Sequence, residues 1–116
     1  IHTSAYKGLE RRKSIRLNVK IDIHFPIQEL YKRSKTKNIS LHGLLFESEN
    51  ILPVGAYIIL QIDLPKEFSP IPIAAVVQVV RVIPLENGRF DIGVKSIRIP
   101  REDVKAIIKY ASEQQE

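Results

Sequence analysis

The chain contains no cysteine, no methionine and no tryptophan. Without cysteine there can be no disulfide, no thiolate metal site and no cysteine nucleophile. That fits a reducing compartment, and a cytoplasmic location is the expectation. A chain that starts at Ile1 and has no methionine reads as an excised domain, or as one lacking its first residues. Histidine is scarce, with only His2, His24 and His42, and none has a metal-ligand spacing such as HExxH. Asp63, Asp91 and Asp103 form no paired-carboxylate pattern, and no serine sits in a G-x-S-x-G context. There is no P-loop and no GxGxxG. The expectation is therefore a protein that is not an enzyme, with no catalytic residues, no metal site and no cofactor. Long apolar runs are also missing. The richest, Ile71 to Ile83, is broken by Pro72, Gln78 and Arg81 and is too short for a bilayer. The N-terminus has no apolar segment of the signal-peptide kind.

What remains is ordinary for one globular domain: 116 residues, 44% hydrophobic and 27% charged, enough to bury a core without staples. The net charge of +5 leans toward anionic partners, although on charge alone an unspecific basic surface is the simpler reading.

Along the chain, residues 1–16 lack periodicity and carry many cations, and read as an arm. From Leu17 the pattern changes. Leu17, Val19, Ile21, Ile23 and Phe25 alternate with Asn18, Lys20, Asp22 and His24, the period-two signature of a half-buried strand, with Pro26 ending it or marking an edge. Gln28 to Lys37 is polar and basic and reads as a weak, exposed strand. Asn38 to Gly43 reads as a turn, followed by a short strand at Leu44–Phe46. Ala56–Leu64 alternates again, and Ile71–Pro84 is a long strand with apolar side chains on both faces. Asn87-Gly88 marks a hairpin turn before a returning strand, Phe90–Ile97. Pro100 opens a helix to about residue 115, with Glu102 and Asp103 at its positive end and Val104, Ile107, Ile108 and Ala111 as one apolar stripe. Short strands, tight turns and one closing helix predict a mainly β fold, a small antiparallel barrel covered by the helix. The arm spans 1–16 and the barrel with its helix 17–116.

Two segments carry binding chemistry. Arg12 and Arg16 are four apart, with Arg11 adjacent. A guanidinium is a planar fork that can chelate guanine O6 and N7, bridge phosphate oxygens or stack on a base. Asn38 offers an amide and Ser40 a hydroxyl, while Gly43 permits close backbone approach. Each segment alone is weak, since basic termini and Asn-Ser-Gly turns are common.

Together, Arg12-Lys13-Ser14-Ile15-Arg16 before the first strand and Asn38-Ile39-Ser40-Leu41-His42-Gly43 after the second resemble the RxxxR and [D/N]xSxxG motifs of the PilZ domain family. Asp91-Ile92-Gly93-Val94 also looks like that family's last strand. The resemblance runs from about Glu10 to the final helix. It implies a six-stranded antiparallel barrel of split-barrel type with a C-terminal helix, and a bacterial receptor for cyclic di-GMP. Arg12 and Arg16 would grip guanine edges and phosphates, Asn38 and Ser40 would hydrogen-bond a guanine, and Gly43 would keep the turn open. A basic residue at Arg11 accompanies a stacked pair of ligands in this family. Ligand binding would order the arm and alter contact with a protein effector or neighbouring domain. Motility, exopolysaccharide synthesis and virulence are outputs of the family. Two alternatives compete: a PilZ-like interaction module that binds no nucleotide, and a small barrel for single-stranded nucleic acid. The second is disfavoured because only eight Tyr and Phe are available as stacking platforms.

Overall fold

The computed structural model describes residues 16–115. Six antiparallel strands form a closed barrel: β1 Asp22–Ile27, β2 Leu30–Ser40, β3 Gly43–Ser48, β4 Tyr57–Asp63, β5 Ile73–Pro84 and β6 Phe90–Arg98. Their order around the barrel is β1-β2-β3-β6-β5-β4, and β1 closes onto β4 through only three residue pairs, Asp22–Asp63 to His24–Gln61. A helix, α1 Arg101–Glu113, follows. The predicted small antiparallel barrel with a C-terminal helix is the observed one.

The alternation read from Leu17 onward is a burial pattern before it is a ladder. Val19, Ile21, Ile23 and Phe25 all point into the core, yet regular pairing of β1 starts only at Asp22, and Leu17 makes a single bridge to Ile39. Thr36, 1% exposed, explains the gap: its hydroxyl accepts from the Ile21 amide (2.9 Å) and donates to the Val19 carbonyl (2.6 Å). A side chain thus supplies the bonds that the backbone ladder omits. Pro26 does not end the strand. β1 runs through it to Ile27, where Pro26 faces Tyr31 beyond the last β1–β4 pair. It is tolerated there because the side away from β2 has no strand left to receive an N–H bond. The hairpin closes over Gln28–Glu29, with Gln28 in the left-handed region at φ 56°. The polar strand predicted from Gln28 therefore starts at Leu30 instead. A two-residue hairpin favours positive φ, but glutamine gives no sequence signal for it.

Inside the barrel, Ile39, Leu44, Phe46, Leu60, Ile62, Val77, Val79, Ile92 and Val94 join the β1 side chains, with the Phe25 and Phe46 rings 4.9 Å apart. Ile107 and Ala111 of α1 enter the same core, and Tyr110 stacks edge-on against Phe68 of the β4–β5 loop. Pro100 serves as the N-cap rather than the first helical residue, its carbonyl accepting from the Asp103 and Val104 amides. The Asn87-Gly88 turn is as predicted, with Gly88 at φ 83°.

Three bulges interrupt the sheet. Lys37 is an extra residue in β2, since Thr36 faces Phe46 and Asn38 faces Leu45. Val80 is extra in β5, since Val79 faces Val94 and Arg81 faces Gly93, and Ile97 is extra in β6. Each bulge inverts the inward–outward alternation that follows it.

Replacing Thr36 by valine keeps its shape but leaves the Ile21 amide and the Val19 carbonyl without their partner. Urea unfolding should show a loss of about 1–3 kcal/mol for Thr36→Val, largely restored in Thr36→Ser. Equal stability of Thr36→Val and wild type would remove the hydroxyl from this role.

Candidate functional site

Without its bulge, β2 would carry Asn38 and Ser40 inward, in step with Ser34 and Thr36. The extra residue at Lys37 turns both outward and returns Ile39 to the core. The Val80 bulge likewise brings Arg81 outward after buried Val79. Two cross-strand rows result on one outer face. Asn38, Leu45, Gly93 and Arg81 form the first; Ser40, Gly43, Lys95 and Gln78 form the second.

Asn38 and Ser40 are therefore the end of β2 and not part of a turn as expected; only Leu41 and His42 separate β2 from β3. The Arg16 guanidinium reaches this face, its Nη1 donating to Asn38 Oδ1 at 2.9 Å. Because a guanidinium only donates, Asn38 presents its Oδ1 to Arg16 and keeps its NH2 for another partner. Ser40 Oγ accepts from the His42 amide at 3.3 Å and lies 3.4 Å from the Gly43 carbonyl. Both contacts are long enough to exchange for a ligand atom. Arg11 and Arg12 lie outside the described residues.

Gly43 has no positive φ and does not hold a turn open. Its reason is space, since a Cβ there would collide with the Val94 carbonyl of β6. Gly93 lies one row away, where a Cβ would sit 3.4 Å from Arg81 Cβ. The two glycines contribute no side chain to a strip flanked by Leu45 and Arg81, beside a shallow cleft of about 240 Å³ lined by Arg16, Leu44, Leu45, Val80, Arg81, Gly93 and Val94. Arg81 is a cleft-lining cation that sequence reasoning did not single out. It registered only as a break in an apolar run, and that break, the one cation on a mostly apolar strand, was the available signal.

A larger hollow of about 750 Å³ lies further along β1 and β2, among Lys20, His24, Arg33, Lys35, Lys37 and Arg89. Its size does not make it the better anion site. Lys35 is paired with Asp22 (2.9 Å), Lys37 with Asp91 (2.7 Å) and Glu47 (3.3 Å), and Arg89 with Glu47 and Glu49. His24 contacts Asp63 at 2.8 Å. Carboxylates thus already hold Lys35 and Lys37 of β2, and Arg89 beside them.

The Lys37 cluster has a structural task. Glu47 and Asp91 are directly opposed on β3 and β6, a repulsive pairing of like charges. The ammonium of the bulged residue sits between them. The hydrogen bond to Asp91 chiefly raises the Lys37 pKa above its ordinary 10.5, with burial opposing. Burial pushes the Glu47 carboxyl upward, but hydrogen bonds from Arg89, Lys37 and Asn87 outweigh it and hold the group below 4.5. The bond to Glu47 raises Arg89 in turn. Among the described residues, no cluster of His, Asp or Glu could hold a metal ion, and no helix is long and apolar enough to cross a membrane.

This architecture defines a small β-barrel that presents an arginine-bordered, glycine-floored groove on its outer wall. The PilZ domain model matches residues 10–113, and the chain belongs to that family. Among solved structures, the chain is similar to the motility inhibitor MotI (DgrA) of Bacillus subtilis, with 21% identity, a TM-score of 0.73 and coverage of 86% of this chain and 49% of that one. It thus spans about half of MotI. It is also similar to the PilZ domain of YcgR from Escherichia coli, solved with c-di-GMP (12% identity, TM-score 0.66, covering 90% and 93%). A third match is the PilZ domain of CeSA from a cellulose-synthesizing bacterium (12%, 0.60, 89% and 100%). These identities carry the fold alone. No curated protein matches the chain.

The lowered Glu47 pKa contributes stability that is complete above 4.5 and disappears as pH falls through the folded value. Acid unfolding of Glu47→Gln should therefore lack part of the loss that wild type shows below pH 4.5, while being less stable at neutral pH. Parallel pH profiles for the two proteins would contradict the assignment.

Proposed function

We propose that the domain is a non-enzymatic receptor for cyclic di-GMP. The observation that carries this reading is the Arg16–Asn38 hydrogen bond, which joins the end of the RxxxR motif to the NxSxxG strand beside the glycine-floored strip. The ligand has two guanine edges and two phosphates, and the groove offers matching groups. Guanidiniums from Arg12 and Arg16 fork onto O6 and N7 or onto phosphate oxygens. The Asn38 amide and the Ser40 hydroxyl pair with base edges. Gly43 and Gly93 let a flat ring approach the backbone. Arg81, across Gly93, supplies a further cation from the barrel itself. Arg11 adds a guanidinium that favours a stacked pair of ligands, whose charge of about −4 at one per phosphate needs more cation.

Binding would draw the 1–16 arm onto β2 and β3 and change the surface offered to a protein effector or neighbouring domain. A single-stranded nucleic-acid groove needs aromatic platforms among its cations. The exposed aromatics Tyr31 and Tyr57 do not line the cleft.

Isothermal titration with cyclic di-GMP should give micromolar or tighter binding. Arg12→Ala and Arg16→Ala should abolish it, and Arg81→Ala should weaken it by about tenfold or more. No heat with folded wild-type protein, or unchanged affinity in both motif variants, would refute the reading. Unchanged affinity in Arg81→Ala alone would confine the site to the motifs.

A further inference from the structure

Among the described residues, the outer face of β4 and β5 carries an apolar cluster that no other element covers. Tyr57 is 63% exposed and Ile59 58%, both pointing away from the core. Register places Ile59 beside Val76, Gln61 beside exposed Ala74, and Tyr57 beside Gln78. On the β6 side, Val76 faces Arg98 and Gln78 faces Lys95, both exposed. The result is an apolar cluster of Tyr57, Ile59, Ala74 and Val76, flanked by Gln61 and Gln78, with two cations along one border. The carboxylate nearest in register, Asp63, is held by His24 at 2.8 Å. Apolar sheet surface bordered by polar groups marks an interaction site.

We propose that this face docks an amphipathic helix of another protein, with an apolar stripe on Ile59 and Val76 and acidic side chains against Lys95 and Arg98. A helix suits the site because a sheet face is covered by a helix or another sheet, whereas an added strand needs a free edge. Here β5 pairs on both sides, with β4 and β6. The border charges choose the partner. A second copy meeting through the same face would bring its own Lys95 and Arg98 to this border, a like-charge juxtaposition. An anionic membrane calls for clusters of four to eight cations, and this border has two. Lys95 also faces Gly43 across the β3–β6 pair, so the docking face and the groove share a border.

The test uses a synthetic amphipathic helix of about 18 residues, with a leucine stripe bordered by glutamates, and a matched peptide bordered by lysines. Backbone amide shifts of the labelled protein are followed by NMR. The acidic peptide should bind saturably, with shifts centred on Tyr57, Ile59, Val76 and Arg98, and at least about fivefold more tightly than the basic one. Ile59→Ser should abolish binding and Arg98→Glu, which leaves Lys95 opposed by a carboxylate, should remove the preference, both with well-dispersed spectra that report an intact fold. No saturable binding, equal affinity for the two peptides, or shifts elsewhere would overturn the proposal. So would concentration-dependent dimerisation lost in Ile59→Ser, or binding of phosphatidylglycerol vesicles through this face.

Discussion

A single extra residue in the second strand governs the rest of the structure. Lys37 adds one position to β2 opposite β3, and two interactions fix it there. On the core side, the Thr36 hydroxyl bridges the Ile21 amide and the Val19 carbonyl. On the outer side, the Lys37 ammonium lies between the opposed carboxylates of Glu47 and Asp91. The first ties the incoming chain to β2 where no regular ladder exists. The second converts a repulsive cross-strand pair into an attractive one. Together they hold Asn38 and Ser40 on the outer wall and bring Arg16 against Asn38.

The same device recurs in β5, where Val80 brings Arg81 outward opposite Gly93. Two bulges on different strands thus aim Asn38 and Arg81 outward at either end of a row whose middle, Leu45 and Gly93, has no polar side chain. The glycines of β3 and β6 do different work from the glycines of the turns. Gly55 and Gly88 supply positive φ. Gly43 supplies room against the neighbouring strand, and Gly93 room beside Arg81. The core needs none of this polarity. The bulges also serve the core, returning Ile39 in β2 and Val82, partly buried, in β5 to the interior.

Most strands and the helix were legible because their apolar periodicity is undisturbed, as in Tyr57–Asp63 and in the stripe through Ile107 and Ala111. The family followed from two motifs in order. What sequence could not show were the interruptions. Nothing in Thr36-Lys37-Asn38 announces a bulge, so Asn38 and Ser40 read as a turn when they are strand. Arg81 read as an irregularity in an apolar run, because its outward direction depends on the Val80 bulge. Gly43 read as a glycine for close backbone approach, which holds, but that the approach is to the Val94 carbonyl of β6 and not to an open turn is a tertiary fact. Lys35 and Lys37 read only as part of a basic strand, because Asp22, Glu47 and Asp91 reach them only when β1, β3 and β6 are assembled.

The account stands on the outer wall of β2, β3, β6 and β5 being the ligand surface. A crystal structure of the domain with cyclic di-GMP tests it most directly. The account predicts the ligand over Gly43 and Gly93, contacted by Arg16, Asn38, Ser40 and Arg81, with the Lys37 bulge unchanged. Ligand seated instead in the larger hollow beside His24, Arg33 and Lys35, with the glycine-floored strip empty, would contradict it.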